Sequence, residues 1–515
     1  MPSRTSPAGG NCEAATHTPL PASAPASGRC AHIRFAAWIL LALAIPAGTL
    51  AWLWCLRGQR ILHNDSILIG GWIVLSTLIL CVAMLLKTTP RNAIRLGAGS
   101  SLIVVLGVTI LLHAAALVLL RPALSEDLAR YRLDGRMWLA KRSPYATTPR
   151  QFAATHPTDA IDAAVTHPEL NTIYLPTSQA LFVVAAGIEQ WIGIDPGPDR
   201  RQTWREMLDG PVPPYRGIVF RAAAAIAAVV STLLLIAILN AAGQSIWCSV
   251  LFAWHPLVIL ECAGSGHQDI VGVMLLLLVV RSIHRASFTA ASLWLGLATG
   301  IKPFAVLLLP FVLRDAYRDG RLRQLAICCV AFVVCVLMLF APLMLIDGGY
   351  VGWSRSARLF SRAWEANGSI YELIKYLFGE GDDGMNMERA KQGARLLAGM
   401  VTLLVTATLW IRRSDVARAG YWVLLTSLLF APVVYPWYLI WMLGFVPLLA
   451  GAGGVGGLVF AATVSISYVL WHLPQWVMPA RLLLVEYPPV YAALLAEVAG
   501  GSFVFRSRRK RLPTP

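Results

Sequence analysis

From Phe35 onward the chain returns repeatedly to apolar runs as long as the interior of a lipid bilayer is thick. Gly97–Leu120 is the clearest of them and carries no charged residue. A helix needs about 20 apolar residues to cross, and in lipid every backbone polar group must be satisfied within the segment. Runs of this kind (Phe35–Cys55, Ile67–Leu86, Ile173–Ile192, Ile218–Asn240, Ile270–Ile283, Leu325–Ile346 and others) predict an all-α polytopic membrane protein. Counting them gives a bundle of about 12–14 transmembrane helices, some too short to cross alone. Only 14% of residues are charged, against about 25% in a soluble domain. The net charge of +16 does not indicate nucleic acid, because the Lys and Arg residues cluster in short loops between apolar spans, as inside-facing loops do.

The organisation expected is a disordered cytoplasmic tail (residues 1–33), one multi-pass membrane unit (34–505) and a basic cytoplasmic tail (506–515, opening RSRRKR). The nine cysteines show no metal-binding spacing. Lys87, Arg91 and Arg95, and the loop Arg412–Arg418, read as inside. That places two long polar segments, 121–171 and 347–391, together on the outer face. One apolar stretch separates the basic clusters Arg281–Arg285 and Arg314–Arg323. It is interrupted by Gly300–Ile301–Lys302–Pro303, the pattern of a broken helix.

Several constellations carry chemistry. Glu126 and Asp127 begin the first polar segment, with Arg130, Tyr131, Asp134 and Tyr145 following. Charged groups at the end of a span are costly and mark functional sites, although a solvated helix start accounts for acids there too. Tyr174–Leu175–Pro176–Thr177 opens a helix. Glu261 and Gly266–His267–Gln268–Asp269 join two apolar stretches, either as a polar site or as a turn capped by Asp269. Lys302 either meets a phosphate or snorkels to the interface. Arg355, Arg358 and Arg362 precede Trp364–Glu365–Ala366–Asn367–Gly368–Ser369. Tyr435–Pro436–Trp437–Tyr438 reads first as interfacial aromatics.

In this order the motifs resemble the integral-membrane glycosyltransferases of the GT-C superfamily, nearest the bacterial mannosyltransferase-like branch that uses polyprenyl-phosphate sugars. The resemblance covers roughly 97–449. It implies a GT-C-like bundle in a bacterial inner membrane, with an active site facing the periplasm or exterior. It also implies inverting transfer of a sugar, mannose first, from a polyprenyl phosphate to a glycan, glycolipid or protein acceptor. By the same resemblance Asp127 is the base, with Glu126 supporting it, and Lys302, Arg358 and Arg362 hold the donor phosphate. Arg130, Tyr131, Asp134, Tyr145, Tyr174, His267, Asp269, Trp364, Glu365, Asn367, Tyr435 and Trp437 bind substrate. No cofactor is required. A divalent metal is compatible with the superfamily, though no residue pattern demands one. The partners are the lipid-linked donor, the acceptor and membrane lipids, with no nucleic acid. The alternative is a transporter or flippase of lipid-linked sugars, built on the ionisable groups Glu261, Asp269 and Lys302; a transporter commonly shows paired broken helices, and only one break is visible. A non-catalytic envelope scaffold is the remaining reading, and it needs no acid at 127.

Overall fold

A computed structural model describes residues 26–57, 64–88, 98–122, 124–157, 159–163, 165–193, 216–379, 384–449, 453–473 and 477–500. The expected basic tail at 506–515, most of the expected tail at 1–33, and Arg91 and Arg95 lie outside these residues. The described chain is helical, with one isolated β-bridge between Ala366 and Val433. The all-α polytopic class read from hydropathy is the observed one.

The main helices in chain order are α1 (Ala26–Leu56), α2 (Asp65–Thr88), α3 (Ala98–Leu119), α4 (Asp127–Leu139), α5 (Pro176–Trp191), α6 (Ile218–Ala241), α7 (Asp269–His284), α8 (Phe288–Thr299) and α9 (Leu309–Leu345). They continue with α10 (Gly349–Ala363), α11 (Ile370–Phe378), α12 (Gly384–Ile411), α13 (Val416–Phe430), α14 (Val455–Thr463) and α15 (Ala480–Ala499). Among the described residues, eight helices are long and apolar enough to cross a membrane. A ninth results if Ile246–Ala253 and Pro256–Gly264, bent by 59°, form one span. Three further apolar helices are shorter, Phe288–Thr299, Val416–Phe430 and Pro436–Leu448. The hydropathy count of about 12–14 is therefore reached only by including short and broken helices.

Prolines cut these runs. Pro256 and Pro303 each stand at the first position of a new helical segment, behind an extended His255 and an extended Lys302. A proline there loses no helix hydrogen bond, but the residue before it is pushed out of the helical region. The helix expected at Ile173–Ile192 is α5, which starts on Pro176 and has 16 residues. It packs along α4.

Large apolar side chains such as Ile103 on α3, Met338 on α9 and Leu404 on α12 are mostly exposed, as lipid-facing surfaces are. Between helices the contacts are close packing and a few polar ties. Trp72, fully buried, donates its indole N–H to the Ala461 carbonyl at 2.9 Å and so ties α2 to α14.

The site rests on a separate apolar cluster of Leu128, Tyr131, Leu133, Met137, Phe152 and Phe182. Here α4 lies so near α5 that a Cβ on Gly135 would sit 2.3 Å from the Phe182 carbonyl oxygen. The far side of α4 is clamped by charge. Arg132 pairs with Asp159 at 2.9 Å and with Asp162 at 3.1 Å, and Arg136 pairs with both acids.

Candidate active site

Asp127 is the first residue of α4. Its own N–H is taken by Ser125 Oγ at 3.1 Å, and its carboxylate stands at the positive end of the helix. The side chain is 32% exposed. One turn on, Tyr131 aims its hydroxyl at Asp127 Oδ2, 3.4 Å away, and Tyr174 hydrogen-bonds the same carboxylate. Burial, and then the Asp127 charge, push the Tyr174 phenol well above its usual pKa, so it stays a donor. The Tyr131 ring is fixed by stacking on Phe182 at 4.4 Å and by the edge of Tyr174 at 5.0 Å.

Arg130 does not pair with Asp127. Its Nε bonds Asp134 at 2.8 Å, and its other arm bonds the Leu170 carbonyl at 3.1 Å. Asp134 also accepts from Gln179 at 2.8 Å, while the Tyr145 hydroxyl donates to the Tyr174 carbonyl at 3.1 Å. These side chains brace α4 against the strand-like entry to α5.

The Gly266–Asp269 turn faces Asp127 from the other side. Gly266 is left-handed (φ +81), and a Cβ there would meet Arg221 Cγ at 3.0 Å; glycine suits both demands. Buried His267 points Nε2 at Asp127 Oδ2, 3.8 Å away, and bonds Glu261 Oε2 through Nδ1 at 2.8 Å. Trp437 stacks on the imidazole at 4.1 Å, and Tyr435 stacks on Trp437 at 4.6 Å. Asp269 is not a helix cap: Gln268 holds the cap position with no side-chain bond, and Asp269 Oδ1 accepts the Trp441 indole N–H at 2.7 Å.

Lys302 enters from the break after α8. Its ammonium lies 4.0 Å from Asp269 Oδ1 and 4.5 Å over the Tyr438 ring. The charges of Asp269 and Asp127 both reach the Tyr438 hydroxyl. One cluster therefore holds an accessible carboxylate, a buried imidazole, a second carboxylate, a cation and a wall of aromatics. Among the described residues no three His, Cys, Asp or Glu side chains converge as a metal site would require.

The second long polar segment is joined to this cluster through backbone. Ala366 N–H bonds the Pro432 carbonyl at 3.0 Å, and Val434 N–H bonds the Ala366 carbonyl at 2.8 Å, which ties the Trp364–Ser369 loop to the strand leading into Tyr435. Asn367 (φ +53) is buried and donates to Glu486 at 2.8 Å. Trp364 meets the His167 ring edge-on at 4.9 Å. Glu365 bonds Lys375 at 2.5 Å, Lys391 at 2.9 Å and the Tyr371 hydroxyl at 3.0 Å. Arg358 and Arg362 are exposed on α10, and among the described residues their guanidinium groups make no ion pair with Asp127 or Asp269.

Burial raises the Glu365 carboxyl, but the bonds from Lys375 and Lys391 outweigh it and hold the group below the usual carboxylate range. A depressed carboxyl stabilises the fold above its unfolded pKa and loses that contribution as pH falls through the folded value. Residues 364–378 should exchange amide hydrogens slowly at pH 7 and faster once acid protonates the Glu365 carboxyl, after correction for intrinsic rates. Glu365→Gln should exchange quickly at pH 7 as well. Equal protection in both proteins at pH 7 and in acid would show that the Glu365 bonds do not hold this segment.

Tyr468, Trp441 and Gln179 had no signal in the sequence. Tyr468 meets Glu261 across 207 positions, and Trp441 meets Asp269 across 172.

No curated protein matches the chain. Residues 212–436 match the sequence model of glycosyltransferase family 87. The match takes in His267, Asp269, Lys302, the 364–369 loop and Tyr435, while Asp127 lies upstream of it. The match spans less than half of the chain, and over that part, which carries His267, Asp269 and Lys302 of the polar cluster, the multi-pass helical chain is similar to this family of GT-C-type membrane glycosyltransferases.

Proposed function

We propose that the chain is an inverting transferase that moves a hexose, mannose first, from a polyprenyl phosphate to a hydroxyl of a glycan, glycolipid or protein acceptor. The site faces the periplasm or exterior of a bacterial inner membrane. The observation that carries this reading is an accessible carboxylate, Asp127, and a cation, Lys302, in one cluster: Lys302 lies 4.5 Å over the Tyr438 ring, and the Asp127 charge reaches the hydroxyl of the same tyrosine. Transfer from a sugar phosphate needs both. The acceptor oxygen attacks C1 while Asp127 takes its proton. The bond from C1 to the phosphate oxygen breaks on the opposite face, and Lys302 compensates the charge left on the phosphate. A phosphate leaves without full protonation, so the second carboxylic acid used in glycoside hydrolysis is not needed.

Tyr131 and Tyr174 orient Asp127, and the Tyr435–Trp437 stack forms an aromatic face against the sugar. Exposed Arg358 and Arg362 on α10 draw the lipid phosphate toward the site. The exposed apolar faces of the spans meet the polyprenyl chain. No metal is assigned a part.

Purified protein in proteoliposomes tests the reading, with radiolabelled polyprenyl-phosphate mannose or a nucleotide-diphosphate mannose as donor and membrane lipids as acceptor pool. Label should move from the lipid phosphate alone; transfer only from the nucleotide sugar would overturn the proposed donor. Lys302→Met should raise donor KM and lower kcat/KM about 10²-fold. An unchanged kcat/KM would remove Lys302 from the phosphate.

A further inference from the structure

His267 has two ring nitrogens, and the structure spends only one of them on the protein. Nδ1 is bonded at 2.8 Å to Glu261, which is fully buried. Glu261 is held in turn by the Tyr468 hydroxyl on its other oxygen. Nε2 is buried with no hydrogen-bond partner among the described residues, 3.8 Å from Asp127 Oδ2. The ring has no freedom to turn away, because Trp437 covers its face at 4.1 Å with an interplanar angle of 14°. Glu261 itself lies in a π-helical turn, Leu260–Gly264. Such a turn is rare and recurs at functional sites. The turn is pinned by Arg221, whose Nε donates to the Ala263 carbonyl at 2.8 Å.

A carboxylate on one imidazole nitrogen decides which proton the other nitrogen shows. A buried carboxylate needed only for packing would be an expensive way to fill space. We propose that Glu261, held by Tyr468, is a positioning residue that fixes His267 with Nε2 presented to Asp127 and to the substrate oxygen entering between them. This deepens the transferase reading above and rests on it.

The groups facing the imidazole are Glu261 from the π turn, Asp127 from α4 and Asp269 from the start of α7, with Lys302 beyond Asp269 and Tyr468 beyond Glu261. Burial lowers the His267 pKa, but the Glu261 hydrogen bond, the Glu261 charge and the two aspartates outweigh it and leave it above its ordinary value. The Glu261 bond therefore favours the doubly protonated ring, whose Nε2 stands 3.8 Å from the Asp127 carboxylate. A raised histidine pKa keeps its contribution at low pH and loses it as pH rises through the shifted value.

The test uses the full-length protein in nanodiscs with 15N-labelled histidine. The His267 ring signals are those lost in His267→Gln. Across a pH titration the wild-type ring should keep protons on both nitrogens to a higher pH than the ring of Glu261→Gln, which keeps the side-chain shape. Transfer kinetics form the second arm. Glu261→Gln should lower kcat about 10²-fold with donor KM little changed, and Tyr468→Phe should lower it less. In a His267→Gln background, Glu261→Gln should cost nothing further, because residues acting through one another are not additive. Unchanged ring signals in Glu261→Gln, or fully additive losses, would overturn the proposal. If wild type transfers no sugar at all, the transferase reading fails, while the ring signals still decide whether Glu261 sets the state of His267.

Discussion

Asp127→Asn should abolish measurable sugar transfer and leave the protein folded. The substitution keeps size and hydrogen-bonding shape, so the Tyr131 and Tyr174 contacts have a partner and α4 keeps its start. What is lost is the negative charge and the proton acceptor. A positioned general base contributes about 10²–10⁴ in rate, and the asparagine amide offers no substitute. Glu126→Gln is the necessary comparison, since Glu126 stands next in the chain and its charge also reaches Tyr435. It should keep most of the activity, because the tyrosine bonds and the His267 Nε2 converge on Asp127. If the two variants behave the other way round, the base is Glu126. If Asp127→Asn transfers like wild type at matched size-exclusion profile, no base acts at this position.

Gly135→Ala should lose nearly as much, without touching any polar group. The added Cβ would lie 2.3 Å from the Phe182 carbonyl oxygen and 2.7 Å from Ala186 Cβ. The first contact is with backbone, so no rotamer change relieves it and α4 must move off α5. Overpacking of this kind costs about 1–3 kcal/mol. Displacement matters more than stability here, because α4 carries Asp127 at its start. A misplacement of about 1 Å at a reacting group costs on the order of 10² in rate. Gly107→Ala on α3, where a Cβ meets nothing within 4 Å, is the neutral control. A Gly135→Ala protein with wild-type melting temperature and transfer rate would show that the α4–α5 contact does not place the base.

Much of the frame was legible because lipid constrains sequence so strongly. Apolar runs marked the helices, and the prolines at 176 and 303 marked where segments begin, whereas the break at Pro256 falls inside a stretch whose apolarity reads as one span. The acid pair at 126–127 marked the start of α4. Other features stayed open in the sequence for identifiable reasons. Arg314–Arg323 looks like a loop by charge, yet α9 runs from Leu309 to Leu345 through it, since Arg has good helix propensity and charge says nothing about backbone hydrogen bonding. Ile173–Ile192 has the apolarity of a span, but its first residues are the extended entry to α5, and the helix lies against α4. Asp269 resembles a helix cap by position, and only tertiary packing reveals Trp441 as its partner. Within the site, local spacing showed Asp127 with Tyr131. The Glu261–Tyr468 pair depends on contacts across the whole chain.

If this cluster moves a sugar from a lipid phosphate in one displacement, C1 is inverted. The most direct test is single-turnover transfer from a polyprenyl-phosphate hexose of defined anomeric configuration, with the configuration of the product read by NMR. Wild type should give the opposite anomer. The same anomer, or loss of the sugar to water with no acceptor product, would contradict a one-step displacement at Asp127.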